Sequence, residues 1–216
     1  MIGGAKVSLV MAKPVRSVRK PRGEGHERRA EILVAAQRIF VECGYEGATI
    51  RRIADEVGLS STALYMHFRD KSEMLLEICR EAFQTLLERN RIARQSPGEP
   101  EIKVRRMLKD YMTFGLKNPN AYRLIFLTRP QEASQGAQHI AQDLGRKVYE
   151  GFELTVAELA ASGRLTCSPE IAAQVLWAGA HGVVALIITK PYFAWAPPEQ
   201  LGETMLDALF DGLVRA

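Results

Sequence analysis

Short hydroxyl-bearing side chains are concentrated in one segment of this sequence. Ser60, Ser61 and Thr62 are consecutive, and Ala63 follows them. Hydroxyl groups both donate and accept hydrogen bonds, and small side chains let a helix approach another molecule closely. In the major groove of DNA, which is about 12 Å wide, such side chains can bond to base edges or phosphates. The segment therefore predicts a helix whose first turn faces a DNA groove.

The residues that enzymes commonly use are not arranged in a catalytic or metal-binding pattern. The sequence lacks metal-ligand spacing, a glycine-rich phosphate loop and a nucleophile motif. Its three cysteines lie far apart, which argues against a disulfide framework and leaves a redox-sensing thiol as the minor alternative. We therefore expect no enzyme activity, no metal and no cofactor. The isolated residues are His26, His67, His139, His181, Cys43, Cys79 and Cys167.

Positive charge is concentrated at the front of the chain. The net charge is only +4, yet residues 1–29 carry eight lysines and arginines against Glu24 and Glu27. This asymmetry predicts a polyanionic partner for the front half alone. We expect residues 1–24 to be a flexible basic arm. The arm either reaches an adjacent minor groove or phosphates, or is merely solvated.

The sequence predicts a cytoplasmic protein with no membrane partner. No apolar run is expected to reach the roughly 20 residues of a membrane span. The opening segment, Met1 to Val10, lacks the basic start and small-residue cleavage site of a signal peptide. Met11 is an alternative start.

Apolar residues recur at three- and four-residue spacing through most of the chain, and no useful stretch alternates with period two. This pattern predicts an all-α fold of about nine helices and no sheet. Two short helices joined at Gly58 have the dimensions of a helix-turn-helix. We expect an N-terminal three-helix DNA-binding domain at 25–70, joined by a long helix to a helical domain at 71–216. The predicted helices are 25–44, 49–58, 60–68, 71–94, 101–117, 119–127, 136–161, 168–189 and 198–215.

Residues 49–75, TIRRIADEVGLSSTALYMHFRDKSEML, resemble the TetR family of regulators. The resemblance depends on the whole order: Thr, Ile-Ala, Gly-Leu-Ser, Leu-Tyr-x-His-Phe and Lys-x-x-Met-Leu at these spacings. The strong part of the match covers about residues 27–75. Met66 departs from the pattern, which often has an aromatic or polar residue there, and it contacts either a thymine methyl or nothing.

The resemblance implies roles for eight residues at a DNA interface. Thr49 would cap its helix and bond a phosphate, and Arg51 would lie near the backbone or a base edge. Three hydroxyl residues would face the major groove, and three further residues would contact phosphates. Contacts to phosphates position such a protein, whereas contacts to bases specify the sequence. The groove-facing set is Ser60, Ser61 and Thr62, and the phosphate set is Tyr65, His67 and Lys71.

The segment from Trp177 through His181 to Gly182 resembles the C-terminal domain of a TetR subfamily named for these three residue types. Residues 119–126 are also similar to it. The resemblance implies that the last two long helices form a four-helix dimer interface with a second copy. The expected interface residues are Val184, Ile187, Ile188, Leu201, Met205, Leu209, Phe210 and Leu213, although the core of the chain itself must claim some of them.

Aromatic and apolar residues in the second half are candidates for a small-molecule site, since such sites are mostly apolar with a few polar tips. Aromatics at helical spacing can equally be plain core. We expect His181 to be the best candidate, because a buried imidazole needs a polar partner. The expected lining residues are Met107, Tyr111, Phe114, Tyr122, Phe126, Phe152, Trp177 and His181.

Together these patterns predict a sequence-specific regulator, a repressor by expectation. It would bind double-stranded DNA at a palindromic operator as a homodimer, and a small apolar or amphipathic effector would release it. The long helix at 71–94 is the expected lever between effector and DNA. An activator, or an effector-independent architectural DNA-binding protein, is the alternative.

Overall fold

The computed structural model describes residues 25–127 and 135–215, and within them the all-α prediction is confirmed. A π-helical turn, Arg123–Leu127, continues the sixth helix. One isolated antiparallel bridge, Leu165 to Val214, is the extent of β-pairing in the described ranges. The basic arm predicted at 1–24 lies outside the described residues. The helices are α1 Gly25–Gly47, α2 Ile50–Glu56, α3 Ser61–Tyr65, α4 Lys71–Gln95, α5 Pro100–Lys117, α6 Pro119–Tyr122, α7 Gln135–Ala161, α8 Pro169–Thr189 and α9 Pro198–Leu213.

Side-chain caps fix the starts of four helices. Thr49 accepts a hydrogen bond from the Arg52 N–H at 3.2 Å. Asp70 and Ser168 cap α4 and α8 in the same way, with distances of 2.8 and 3.4 Å to the backbone N–H three residues on. Each cap satisfies a donor that the first turn of a helix leaves unpaired. Ser60 caps α3 by the same contact, so all four starts follow from residue type.

Glycines in the left-handed region make the two predicted breaks. Gly44 has φ of 73° and interrupts α1, and Gly58 has φ of 69° between α2 and α3. The prediction that α3 runs to Phe68 was wrong, because the helix ends at Tyr65. The backbone tightens there: the N–H groups of Met66 and His67 donate to carbonyls three residues back.

Two hydrophobic cores share helix α4. The first core lies among α1, α2, α3 and the start of α4, where Leu64 and Phe68 are fully buried as predicted. The second core lies among α4, α5, α7, α8 and α9. Met74 and Ile78 of α4 belong to the first core, and the following turns belong to the second. Leu124 of the π-helical turn also lies in the first core, so the two halves interlock.

Helix α8 corrects the expectation that no apolar run reaches membrane-spanning length. It has 21 residues and, among the described residues, is the one helix long and apolar enough to cross a bilayer by length and composition. In this fold it packs against α5, α7 and α9. One side of the apolar surface of α8 is therefore buried in the core of the chain.

Candidate DNA-binding surface and effector cluster

The first turn of α3 presents small polar groups to solvent. Ser60 and Thr62 are exposed and Ser61 is half-buried. The Ser60 Oγ accepts a hydrogen bond from the Ala63 N–H at 3.1 Å, which leaves its own proton for an outside acceptor. Leu64, on the opposite side, is fully buried and holds the helix down. The three hydroxyl residues therefore lie together on the surface, as the sequence predicts.

The residues after α3 extend the same surface. Tyr65 is 54% exposed and Met66 is 84% exposed, which is unusual for side chains of this size. His67 is half-buried, and burial together with the nearby Arg29 and Arg28 lowers its pKa. It is therefore a neutral hydrogen-bonding group at neutral pH, not a cation. Thr49 and Arg51 are exposed at the start of α2, with Arg51 only 3.9 Å from the Asp55 carboxylate.

Arg29 fixes this surface from behind, and sequence reasoning counted it only as part of the basic front segment. Its guanidinium donates to the His67 carbonyl and to the Glu77 carboxylate. It also lies 4.0 Å from the centroid of the Phe68 ring. Arg29 thus ties α1 to the end of α3 and to α4. The sequence alone does not distinguish Arg29 from the other arginines nearby. Its contacts in the folded structure do.

Lys71 is already engaged within the chain. Its ammonium donates to the carbonyls of Tyr45, Glu46 and Ala48 at 2.7, 3.4 and 3.4 Å. It also lies 4.3 Å from the Tyr45 ring centroid. An ammonium has three protons, so these carbonyls, at the end of α1 and just after it, account for all of them. The sequence predicted a phosphate contact, whereas in the structure Lys71 holds α1 and α4 together.

In the second half, aromatic side chains form a continuous network that we call the aromatic cluster. Ring centroids lie 4.9 Å apart for Tyr122 and Phe126, 6.0 Å for Trp177 and His181, and 5.5 Å for Tyr149 and Trp177. Six of the eight predicted lining residues belong to it. Met107 and Phe114 are buried in the core without ring contacts to the cluster. The cluster contains Phe83, Tyr111, Tyr122, Phe126, Tyr149, Phe152, Trp177 and His181.

A hydrogen-bonded triad lies at the centre of the cluster. The hydroxyls of Tyr111 and Tyr122 are 2.9 Å apart, and they lie 3.1 and 2.7 Å from the His181 Nδ1. If Tyr111 donates to Tyr122 and Tyr122 donates to Nδ1, both hydroxyl protons are used. Nδ1 is then the acceptor, and the ring proton lies on Nε2. The polar partner expected from a ligand is therefore supplied, for Nδ1, by the chain itself.

The predicted lining set missed two members of the cluster, Phe83 and Tyr149, and only Tyr149 carries a polar group. Its hydroxyl is buried and has no hydrogen-bond partner among the described residues. It lies three residues before Phe152 on α7, and that helical spacing was the available signal. A buried hydroxyl without a partner costs about 1–3 kcal/mol. Among the rings of the cluster, this hydroxyl is therefore a candidate polar contact for a ligand.

Comparison with known proteins agrees with this geometry. Residues 32–78 match the family profile described as bacterial regulatory proteins, tetR family. Residues 104–210 match the profile described as tetracyclin repressor-like, C-terminal domain. The chain belongs to the TetR family. This membership agrees with the prediction of a DNA-binding regulator that is not an enzyme.

Three relatives show how sequence identity and coverage vary among the proteins that this chain resembles. The transcriptional activator FasR of Mycolicibacterium smegmatis is 34% identical over 113 residues, covering 50% of this chain and 52% of FasR. The transcriptional repressor AcnR of Corynebacterium diphtheriae is 52% identical over 54 residues, covering 25% of this chain and 28% of AcnR. The matches thus span about half of one curated relative and about a quarter of the other. A tetR-family protein from Rhodococcus RHA1 superposes with a TM-score of 0.75 at 20% identity, covering 87% of this chain and 97% of that one.

The outer surface of α8 in this TetR-family chain differs from the dimer surface expected from the sequence. Val184 and Phe210 are 0% and 2% exposed, and Ile188 is also buried, so these three belong to the core of a single chain. The reason is that α8 turns this side toward α5, α7 and α9. The remaining expected contacts are half-buried against the same core: Ile187, Leu201, Met205, Leu209 and Leu213.

A different stripe of α8 faces outward, and we call it the α8 stripe. Ile171, Val175 and Leu186 are exposed, and Ala178 and Gly182 lie between them at helical spacing. A Cβ on Gly179 would lie 2.7 Å from Leu209 Cδ1, so α9 already fills the space at that glycine. A Cβ on Gly182 would meet nothing within 4 Å. The stripe is therefore apolar, and it is open at its centre.

The stability of the fold should fall as the pH is lowered below about 6.5, the ordinary pKa of histidine. Burial lowers the pKa of His181 in the folded state, so the unfolded chain binds more protons below that pH and protonation favours unfolding. His67, whose pKa is also lowered, acts in the same direction. Thermal denaturation between pH 7 and pH 5 should show a smaller loss for His181→Asn than for the native chain. The control is His139→Asn, on the exposed surface of α7. If His181→Asn shows the same pH dependence as the native chain, this role of His181 is contradicted.

Proposed function

We propose that this chain is a transcriptional regulator that binds operator DNA through the first turn of α3. The observation that carries the proposal is the exposed hydroxyl surface of Ser60, Ser61 and Thr62, held on a buried Leu64. Tyr65 and Met66 extend it toward phosphates and thymine methyl groups. In this proposal residues 25–70 bind DNA, and residues 71–216 bind the effector and a second copy of the chain.

The same geometry supports a homodimer bound to a palindromic operator. A single α3 covers few base pairs, whereas two copies about 34 Å apart read two half-sites on one face of DNA. The α8 stripe, with half-buried Met205 and Leu209 of α9 beside it, supplies an apolar surface for the second copy. We place the protein in the cytoplasm, where its DNA would be.

The effector in this proposal is a small apolar molecule with one polar end. The rings of the aromatic cluster suit an apolar body. The Tyr149 hydroxyl has no hydrogen-bond partner among the described residues. If Nδ1 accepts from Tyr122, the His181 ring carries its proton on Nε2. The polar end should therefore carry an acceptor such as a carbonyl or carboxylate oxygen. A ligand that binds the DNA-incompetent arrangement more tightly would release the operator.

The link between the effector site and DNA runs through the π-helical turn as well as α4. Tyr122 and Phe126 of the aromatic cluster flank Leu124, which lies in the core of the DNA-binding half. The Arg123 guanidinium donates to the Ile188 carbonyl and ties the turn to α8. A shift of the cluster would therefore reach α1 through Leu124. Turns of π-helix are often found at functional sites.

The experiment is fluorescence anisotropy with DNA from upstream of this chain's own coding sequence, compared with a scrambled sequence at two salt concentrations. We expect the native fragment to bind at least about 10³-fold more tightly. Tyr65→Phe should weaken binding to both DNAs about tenfold, because it removes a phosphate hydrogen bond. Tyr192→Phe is the matched control, because it makes the same change at another exposed tyrosine, beyond the end of α8.

Other outcomes of the same assay separate the alternatives. Equal binding to both DNAs would favour an architectural protein over a sequence-specific regulator. No binding to either would overturn the proposal. Amphipathic molecules with one carbonyl or carboxylate group, added to the bound complex, test the effector, and no release by any of them would argue for effector-independent binding. Repression is our choice over activation, and transcription from the bound promoter decides between them.

A further inference from the structure

A groove on the outside of the second half has four cations among its nine lining residues. It has a volume of about 530 Å³ and lies between α4, α5 and α7. Arg91 and Arg94 of α4, Lys103 of α5 and Lys147 of α7 line it, together with the single carboxylate of Glu158. This volume is within the usual range of small-molecule sites. The groove is separate from the aromatic cluster, with which it shares no lining residue.

The four cations of the groove differ in how closely they are paired with acidic side chains. Glu88, outside the groove, engages Arg91 at 2.6 and 2.7 Å. Lys147 pairs with Asp143 at 2.8 Å. Arg94 lies 3.6 Å from Glu158, which is a loose contact between partly exposed groups. These pairs hold three of the four cations in place without closing the groove.

Lys103 is the exception. It is half-buried, and its ammonium has no hydrogen-bond or ion-pair partner among the described residues. Its helix neighbours differ in this respect: Glu101 pairs with Arg105 at 3.3 Å. The groove thus contains one unneutralised ammonium near a loosely held guanidinium. An anion entering the groove would meet both.

Gly151 keeps the groove open on the α7 side. It is a glycine inside a long helix, a position where glycine costs about 1 kcal/mol relative to alanine. A Cβ at this position would meet nothing within 4 Å, so its absence is not required by packing within the chain. The side of α7 that faces the groove therefore has space where most residues would place a side chain.

We propose that this groove binds a multiply charged organic anion that carries phosphate or carboxylate groups. Lys103 and Arg94 hold the anionic groups, Lys147 adds a third positive charge, and Gly151 makes room for the body of the molecule. Guanidinium and ammonium groups together are the usual protein ligands of such anions. Bound there, the anion would connect the second half of α4 to α5 and α7. Anion binding in the groove does not require DNA.

The test is isothermal titration calorimetry on the full chain with two probes, inorganic pyrophosphate and propane-1,2,3-tricarboxylate. At least one should bind, and the one that binds identifies the anionic group. Lys103→Gln should weaken that binding about tenfold, as expected for loss of one charged hydrogen bond. Lys117→Gln is the matched control, because it changes an exposed lysine at the far end of the same helix. Gly151→Leu should abolish binding by filling the groove.

Several results would overturn the proposal. The first is that neither probe binds. The second is that Lys103→Gln and Lys117→Gln weaken binding equally, because this would show adventitious attraction to the whole surface. Pyrophosphate can also bind the DNA-facing surface, in which case Lys103→Gln would leave its affinity unchanged. Thermal denaturation checks that each variant folds. Lys103→Gln decides the outcome even if Gly151→Leu does not fold.

Discussion

Leu124→Ala is expected to destabilise the protein by about 2–5 kcal/mol, the usual cost of removing a buried leucine side chain. Leu124 is 8% exposed and packs in the core of the DNA-binding half, although its position in the sequence is in the second half. The variant leaves a cavity at the junction of the two halves. Its effect should therefore be largest on α1, which contacts both α6 and the π-helical turn.

Thermal denaturation measures the loss of stability, and amide hydrogen exchange locates it. We expect faster exchange in α1 and little change in α5, α8 and α9. The matched control is Leu127→Ala, since Leu127 belongs to the same turn but is 38% exposed. That change should cost about 0.5 kcal/mol. Equal losses in the two variants, or unchanged exchange in α1, would mean that the π-helical turn does not connect the halves.

The sequence predicts the helices well because their ends depend on local chemistry. Ser168 and Pro169 start α8, and Gly58 ends the turn before α3, each through contacts within a few residues. The buried positions of Leu64 and Phe68 follow equally from spacing. The end of α3 at Tyr65 is different. It depends on backbone hydrogen bonds to carbonyls three residues back, which the residue types there do not predict.

Contacts between distant elements were beyond the reach of sequence reasoning. Spacing makes Lys71 a surface cation, and only the fold brings the end of α1 to within 2.7 Å of its ammonium. Leu124 looks like an ordinary residue of a short helix, yet it belongs to a core built from α1 to α4. Val184 and Leu186 are both apolar residues of α8, and the fold alone decides which of them faces solvent. One apolar helix offers several possible faces, and periodicity does not choose between neighbouring ones.

Leu186→Glu is expected to convert a dimer into a monomer and to weaken operator binding by at least about 100-fold. Leu186 is 47% exposed at the C-terminal end of the outward side of α8, in line with Val175 and Gly182. In the proposed dimer a carboxylate there would be buried beside its symmetry mate, without a partner and with like charge opposite it. Such burial costs several kcal/mol, and about 1.4 kcal/mol corresponds to each factor of ten.

Leu154→Glu is the matched control, because Leu154 is 54% exposed on α7 and lies outside the α8 stripe. Sedimentation equilibrium should give a dimer for the native chain and for Leu154→Glu, and a monomer for Leu186→Glu. Because Leu186 makes no large contribution to the core of its own chain, the monomer should remain folded, and its thermal denaturation checks this. A monomeric Leu186→Glu that still binds the operator with native affinity would separate DNA recognition from dimerisation. A dimeric Leu186→Glu would move the interface away from the α8 stripe, to the half-buried side chains of α9.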